Sequence, residues 1–142
     1  RGRAVKVLLD TCVLAELRHP KGSAKVKAAV EALPDEALFL SAITIGELVK
    51  GIELLKPSKK RRELADWLTF LQRSFAERIL PVTAETSALW GKLTAKAQRQ
   101  GRILHVADGL IAATAVQNGL HLMTRNIADF EVTGALLLNP WD

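Results

Sequence analysis

Four carboxylates and one amide stand where side chains could do chemistry in this chain: Asp10, Glu47, Asp108, Asp129 and Asn126. Asp10 closes the apolar run Val5-Lys6-Val7-Leu8-Leu9 and is followed by Thr11. Glu47 ends the stretch Ser41-Ala42-Ile43-Thr44-Ile45-Gly46-Glu47, and Asp108 sits in Val106-Ala107-Asp108-Gly109-Leu110-Ile111-Ala112-Ala113. Asn126 and Asp129 share Thr124-Arg125-Asn126-Ile127-Ala128-Asp129-Phe130. Gathered carboxylates prefer hard cations such as Mg²⁺ or Mn²⁺, which neutralise phosphate charge and activate water. Without a cation such a cluster repels a nucleic acid; with one between them it becomes a site for phosphodiester hydrolysis.

Each residue also has a local explanation. Asp10 can cap the segment that follows it, because an Asp there satisfies free backbone N–H groups. Thr44 and Glu47 have the T-x-x-E form of a capping box, in which Glu47 reaches back to the Thr44 N–H. Asn126 can cap a short turn with Asp129 at its third position. Asp108 is explained least well this way, since its neighbours are small or aliphatic and an ionised Asp among them is costly unless paired or bound to metal. His105 has no partner in sequence and reads as structural or exposed.

The elements that must position these residues alternate. Short apolar runs at 5–9, 37–40, 79–82, 121–124 and 136–138 read as strands. Between them, helical patterns cover 24–33, 44–55, 58–77, 84–100 and 106–118. Gly101 and Gly119 follow the last two, where a left-handed C-cap is expected. Strands separated by helices predict an α/β fold with a mainly parallel sheet of about five strands. Ligands in such folds gather beyond the carboxyl ends of the strands, which is where Asp10, 41–47 and 124–129 fall. No repeat or linker interrupts the pattern, so one domain over 1–142 is expected, with 1–4 as a tag remnant or disordered start.

Composition narrows the classes. The chain has 142 residues, 49% of them hydrophobic and 25% charged, as a globular domain requires. Cys12 is the only cysteine, which excludes an intrachain disulfide, argues against structural zinc and suits a reducing cytoplasm. No apolar run approaches the length of a membrane span. A formal charge of +5 favours a polyanionic partner. The densest positive run, 56–62, reads as a solvated helix start, with RNA contact as the alternative. Trp67 and Trp90 read as core or subunit-interface residues. A phosphatase of the haloacid-dehalogenase type would need a second Asp where Cys12 stands, and the glycine-rich phosphate-binding motifs are absent.

Taken in order, Asp10-Thr11, Ser41 to Glu47, Asp108 with its small-residue helix, and Thr124-Arg125-Asn126 with Asp129-Phe130 resemble the PIN-domain ribonucleases, most closely the VapC/FitB-like toxins of toxin–antitoxin pairs. The likeness runs from about Val7 to Asn139-Pro140-Trp141. It implies a three-layer α/β/α sandwich, a Mg²⁺ or Mn²⁺ held by Asp10, Glu47 and Asp108, an RNA substrate, a small antitoxin partner and a homodimer. Thr11 and Thr44 match hydroxyl positions near the centre. Asn126 falls where the family often has a fourth Asp, and Asp129 is the alternative supplier of that position. Cys12 stands where Asn or Ser is more usual and reads as a small, half-buried side chain. In the mechanism so implied, Asp10 and Asp108 hold the cation, Glu47 orients or deprotonates water, and Asn126 completes the polar shell. The rival reading is a PIN-like module that binds RNA or protein without cutting.

Overall fold

Val7, Leu8 and Leu9 are buried to 1% exposure or less, and together they form the middle strand of the sheet, β1 (Val7–Leu9). Successive strand residues point to opposite faces, so Val7 and Leu9 join one apolar cluster and Leu8 the other. A strand buried on both faces needs a helical layer on each side. A computed structural model describes residues 5–142, and the segment 1–4, with its reading as a remnant or disordered start, lies outside the described residues.

The sheet adds β2 (Leu38–Ser41), β3 (Ile79–Leu80), β4 (His121–Met123) and β5 (Leu137–Leu138) in the order β3-β2-β1-β4-β5. Every pairing is parallel, with Val7 opposite both Leu38 and His121, and Leu9 opposite Met123. The expected strands are all present, shorter at one or both ends except the second, which gains Ser41 and starts one residue later.

One face is covered by α1 (Thr11–Arg18), α2 (Ala24–Glu31), most of α3 (Ala42–Glu53) and α4 (Lys59–Ser74), through Val13, Leu14, Val26, Ile52 and Leu71. The other is covered by α5 (Ala84–Arg99), α6 (Val106–Gln117) and α7 (Ile127–Phe130), through Leu93, Ile111, Ala112 and Phe130. This is the three-layer α/β/α arrangement. Leu8, Leu40 and Leu122 are 0% exposed, and each such burial contributes about 1.5–3 kcal/mol.

The predicted left-handed ends of α5 and α6 are present. Gly101 and Gly119 have φ of 69° and 66°. In each case the next residue's N–H reaches back to close the last turn, Arg102 to Ala97 O at 2.8 Å and Leu120 to Ala115 O at 2.9 Å. Other helices depart from expectation: α2 and α4 end at Glu31 and Ser74 instead of at 33 and 77, and the turn expected after Asn126 is the short helix α7. The stretch after Asp10, not assigned to any element from the sequence, is α1. Helix α3 starts at Ala42 instead of Thr44, because Ser41 caps it: its Oγ accepts from the Ile43 N–H at 3.1 Å.

Candidate active site

The carboxyl edge of the sheet brings three separate chain segments together. Asp10 leaves β1 with its N–H bonded to Met123 O at 3.0 Å, so the β1–β4 ladder extends to it. It is the N-cap of α1 and only 5% exposed. Its Oδ1 accepts from the Thr11 N–H at 2.8 Å. Its Oδ2 accepts from the Thr124 hydroxyl at 2.7 Å and from the Cys12 thiol at 3.5 Å. The capping reading therefore holds, yet it does not exhaust the group: a carboxylate has about four acceptor sites, and three donors are engaged here.

Glu47 is not part of a capping box. With Ser41 as N-cap, Thr44 and Glu47 lie inside α3, and Glu47 Oε1 accepts instead from the Thr11 hydroxyl at 2.7 Å. This contact spans α1 and α3 and ties Glu47 to the residue beside Asp10. Thr44 is 0% exposed, and its hydroxyl has no hydrogen-bond partner among the described residues.

Asp108 occupies the third position of α6 and is half-buried. Burial, foremost, pushes its carboxyl above the ordinary range, and the charges of Asp10, Glu47 and Asp129 push it further the same way, while His105 opposes them. The four carboxylates thus share one electrostatic neighbourhood. The helix is seated there by a close approach: a Cβ on Gly109 would meet Trp90 Cδ1 at 2.7 Å. Trp90 and Trp67 are both half-buried against the two apolar clusters, as the core reading expects.

Asn126 stands at the N-cap position of α7, but its side chain makes no capping bond; its N–H donates to Thr124 Oγ1 at 3.0 Å. Asp129 is exposed at the third position of α7 and bears on Asp108 through its charge. Both residues follow the end of β4, so the fourth position has two candidate suppliers of different charge.

Thr124 is the residue that sequence reasoning missed. Fully buried, it donates to Asp10 and accepts from Asn126, joining β1, β4 and the start of α7. Its signal was a hydroxyl residue directly after a strand, but only the β1–β4 register places it beside Asp10. Cys12 is half-buried, and burial raises its thiol pKa above all, with the Asp10 charge adding to the rise and the Arg125 backbone N–H and the Thr124 hydroxyl opposing it; it is a thiol donor to Asp10.

The positive run is divided. Ser58 caps α4, and Arg61 is held by Glu53 at 3.1 Å and Leu55 O at 3.0 Å, whereas Lys56, Lys59, Lys60 and Arg62 are exposed. A groove of about 260 Å³ opens from Thr11 and Glu47 between α1, α3 and α4, walled by Leu48, Leu64 and Trp67 with Arg18 beside them.

Among the described residues, no three acidic, histidine or cysteine side chains converge into a ready-made ligand cage. The donor set nevertheless fits a hard cation. Asp10 retains acceptor capacity, and Asp108, raised foremost by burial, also feels like charges that a cation would relieve.

A parallel α/β/α domain with carboxylates gathered at its strand ends defines a narrow structural class. The PIN domain family model matches residues 7–135, and the chain belongs to that family. Among similar proteins, the VapC ribonuclease Y4jK of Sinorhizobium fredii is 36% identical over 96% of this chain and 98% of its own. Toxin FitB of Neisseria gonorrhoeae is 37% identical over 95% and 98%. The crystal structure of FitAcB from Neisseria gonorrhoeae superposes with a TM-score of 0.89, at 37% identity over 95% of this chain and 98% of that one.

Proposed function

We propose that this protein is a Mg²⁺- or Mn²⁺-dependent endoribonuclease and the toxin half of a toxin–antitoxin pair. The observation that carries the reading is the gathering of carboxylates from distant parts of the chain: Thr11 bonds both Asp10 and Glu47, and the carboxyl of Asp108, raised first by burial, also feels the charges of Asp10, Glu47 and Asp129. Such an arrangement opposes stability and is retained at sites that use it. Relatives named VapC ribonuclease and toxin FitB, each aligned over nearly the whole chain, support the same reading.

Asp10 and Asp108 would hold the cation, with Thr11, Thr124 and Cys12 fixing the Asp10 carboxylate from three sides. When bound, the cation neutralises phosphate charge and makes water more acidic. Glu47, steadied by the Thr11 hydroxyl, orients the attacking water or takes its proton. The Asn126 amide, uncommitted as a cap, completes the polar shell. Water attacks phosphorus, the bond to the 3′ oxygen breaks, and that oxygen gains a proton, leaving a 5′-phosphate and a 3′-hydroxyl. The apolar groove beside Thr11 and Glu47 suits an antitoxin segment. A homodimer acting in the cytoplasm follows from the family likeness; no helix among the described residues is long and apolar enough to cross a membrane.

The test is cleavage of a mixed RNA substrate with Mg²⁺, with Mn²⁺ and with EDTA, using Asp108→Asn purified identically. Metal-dependent cutting that the substitution abolishes supports the assignment. Full activity in Asp10→Asn and Asp108→Asn would refute it, and failure to bind a cation would favour a non-cutting module.

A further inference from the structure

We propose that Arg125 is a phosphate-binding residue of this site, held in readiness on the face of Trp141; the inference rests on the ribonuclease reading above. Arg125 directly follows Thr124, whose hydroxyl is 2.7 Å from Asp10 Oδ2, so its backbone is fixed at the rim of the carboxylate cluster. Its guanidinium carbon lies 5.1 Å from the centroid of the Trp141 ring. That ring is itself anchored, half-buried against the apolar cluster of Val7 and Leu9, with its backbone N–H donating to Asn139 Oδ1 at 2.9 Å. β4 and β5 are neighbours in the sheet, so Arg125 and Trp141 follow adjacent strand ends on the side where Asp10 emerges.

The chemistry follows from what Arg125 does not do. Stacking occupies the face of the guanidinium and leaves its in-plane N–H donors free. Among the described residues, those donors meet no acceptor: the one ion pair joins Arg61 to Glu53. An exposed arginine at the rim of an acidic cluster, paired with none of the carboxylates, retains its full fork. That fork matches two non-bridging phosphate oxygens. A platform also lowers the entropy lost on binding, which the exposed lysines of 56–62 cannot do. Arg125 thus offers RNA a positive contact beside the acidic centre, and the phosphate it takes flanks the one that is cut. The competing role is purely structural, a guanidinium that shields Trp141 from water. It would alter stability and leave RNA affinity untouched.

Binding is measured by fluorescence anisotropy of a 5′-fluorescein-labelled, mixed-sequence single-stranded RNA in Mg²⁺, with Glu47→Gln as the parent, which keeps Asp10 and Asp108 and slows cutting so that the probe stays intact during the measurement. Adding Arg125→Ala should weaken binding about tenfold or more, the worth of one charged contact. It should also flatten the dependence of log K on log salt by about 0.7, one phosphate contact on a single strand. Arg125→Lys should restore the slope but not the affinity. Trp141→Leu should weaken binding severalfold, and add nothing once Arg125 is alanine. Melting temperatures are recorded for every variant, and Arg125→Gln replaces the alanine if that protein unfolds. Unchanged affinity and salt slope in a folded Arg125 variant would overturn the proposal. Failure of the parent to bind RNA, together with failure of the wild type to cut it, would remove the ribonuclease reading and this inference with it.

Discussion

Replacing Thr124 by valine keeps the outline of a fully buried side chain and deletes one hydroxyl. That hydroxyl donates to the Asp10 carboxylate at 2.7 Å and accepts from the Asn126 N–H at 3.0 Å. A hydrogen bond to a charged group contributes about 1.5–3 kcal/mol and a neutral one about 0.5–1.5. The substitution should therefore cost about 2–4.5 kcal/mol, a fall of roughly 7–15 °C in Tm for a domain of this size. Urea unfolding in EDTA measures it free of any cation. The decisive arm repeats the substitution in an Asp10→Ala background, where only neutral contacts remain to be lost, the Asn126 N–H and the Cys12 thiol at 3.7 Å, and the cost should drop to about 0.5–1.5 kcal/mol. Equal costs in the two backgrounds would show that the hydroxyl does not serve the carboxylate, and the account of how Asp10 is held would fail.

Asp108 carries a pH signature of definite sign. Its folded carboxyl is raised above the unfolded value of 3.8, so the folded protein binds the proton more tightly; stability in EDTA should fall as pH climbs from that value through the raised one and level off above it. Asp108→Asn should abolish this decline and unfold at higher urea than wild type near neutrality, by less than about 1 kcal/mol because the group is only half-buried. Mg²⁺ at a hundred times its Kd should stabilise wild type by about 2.7 kcal/mol and the variant hardly at all. Gly109→Ala places a methyl 2.7 Å from Trp90 Cδ1 and should cost about 1–3 kcal/mol, read by thermal melting, with Trp90→Leu in the same chain recovering most of the loss. Glu47→Gln keeps an acceptor for the Thr11 hydroxyl and should leave Tm nearly unchanged, while single-turnover RNA cleavage falls about 10²-fold or more.

Much of this was legible in the residues. The β-branched run ending at Asp10, the small-residue helix around Asp108 and the two helix-ending glycines each carry a local rule that survives packing. Local rules also misled. Thr44 and Glu47 spell a capping box, but Ser41 stands three residues earlier at the strand end and caps first, which turns Glu47 toward Thr11. Helix α1 went unassigned because Thr11, Cys12 and Val13 are weak helix formers; Asp10 starts the helix as its cap, and burial of Val13 and Leu14 stabilises it. Thr124 could not be assigned a role at all, since its partner is 114 positions away and strand register is a property of the folded sheet.

The carboxylates come from segments widely separated in the chain: Asp10 after β1, Glu47 in α3, and Asp108 in α6 on the opposite helical layer. A chain emerging from the ribosome has made Asp10 and Glu47 long before Asp108, and longer still before β4 delivers Thr124 to Asp10. Domains fold as units during synthesis, so the growing chain holds an incomplete set of ligands until most of it is outside. On the proposed function, the ribosome making this protein is not exposed to a finished nuclease while the work is in progress, and a partner that binds on release meets the active form at its first appearance.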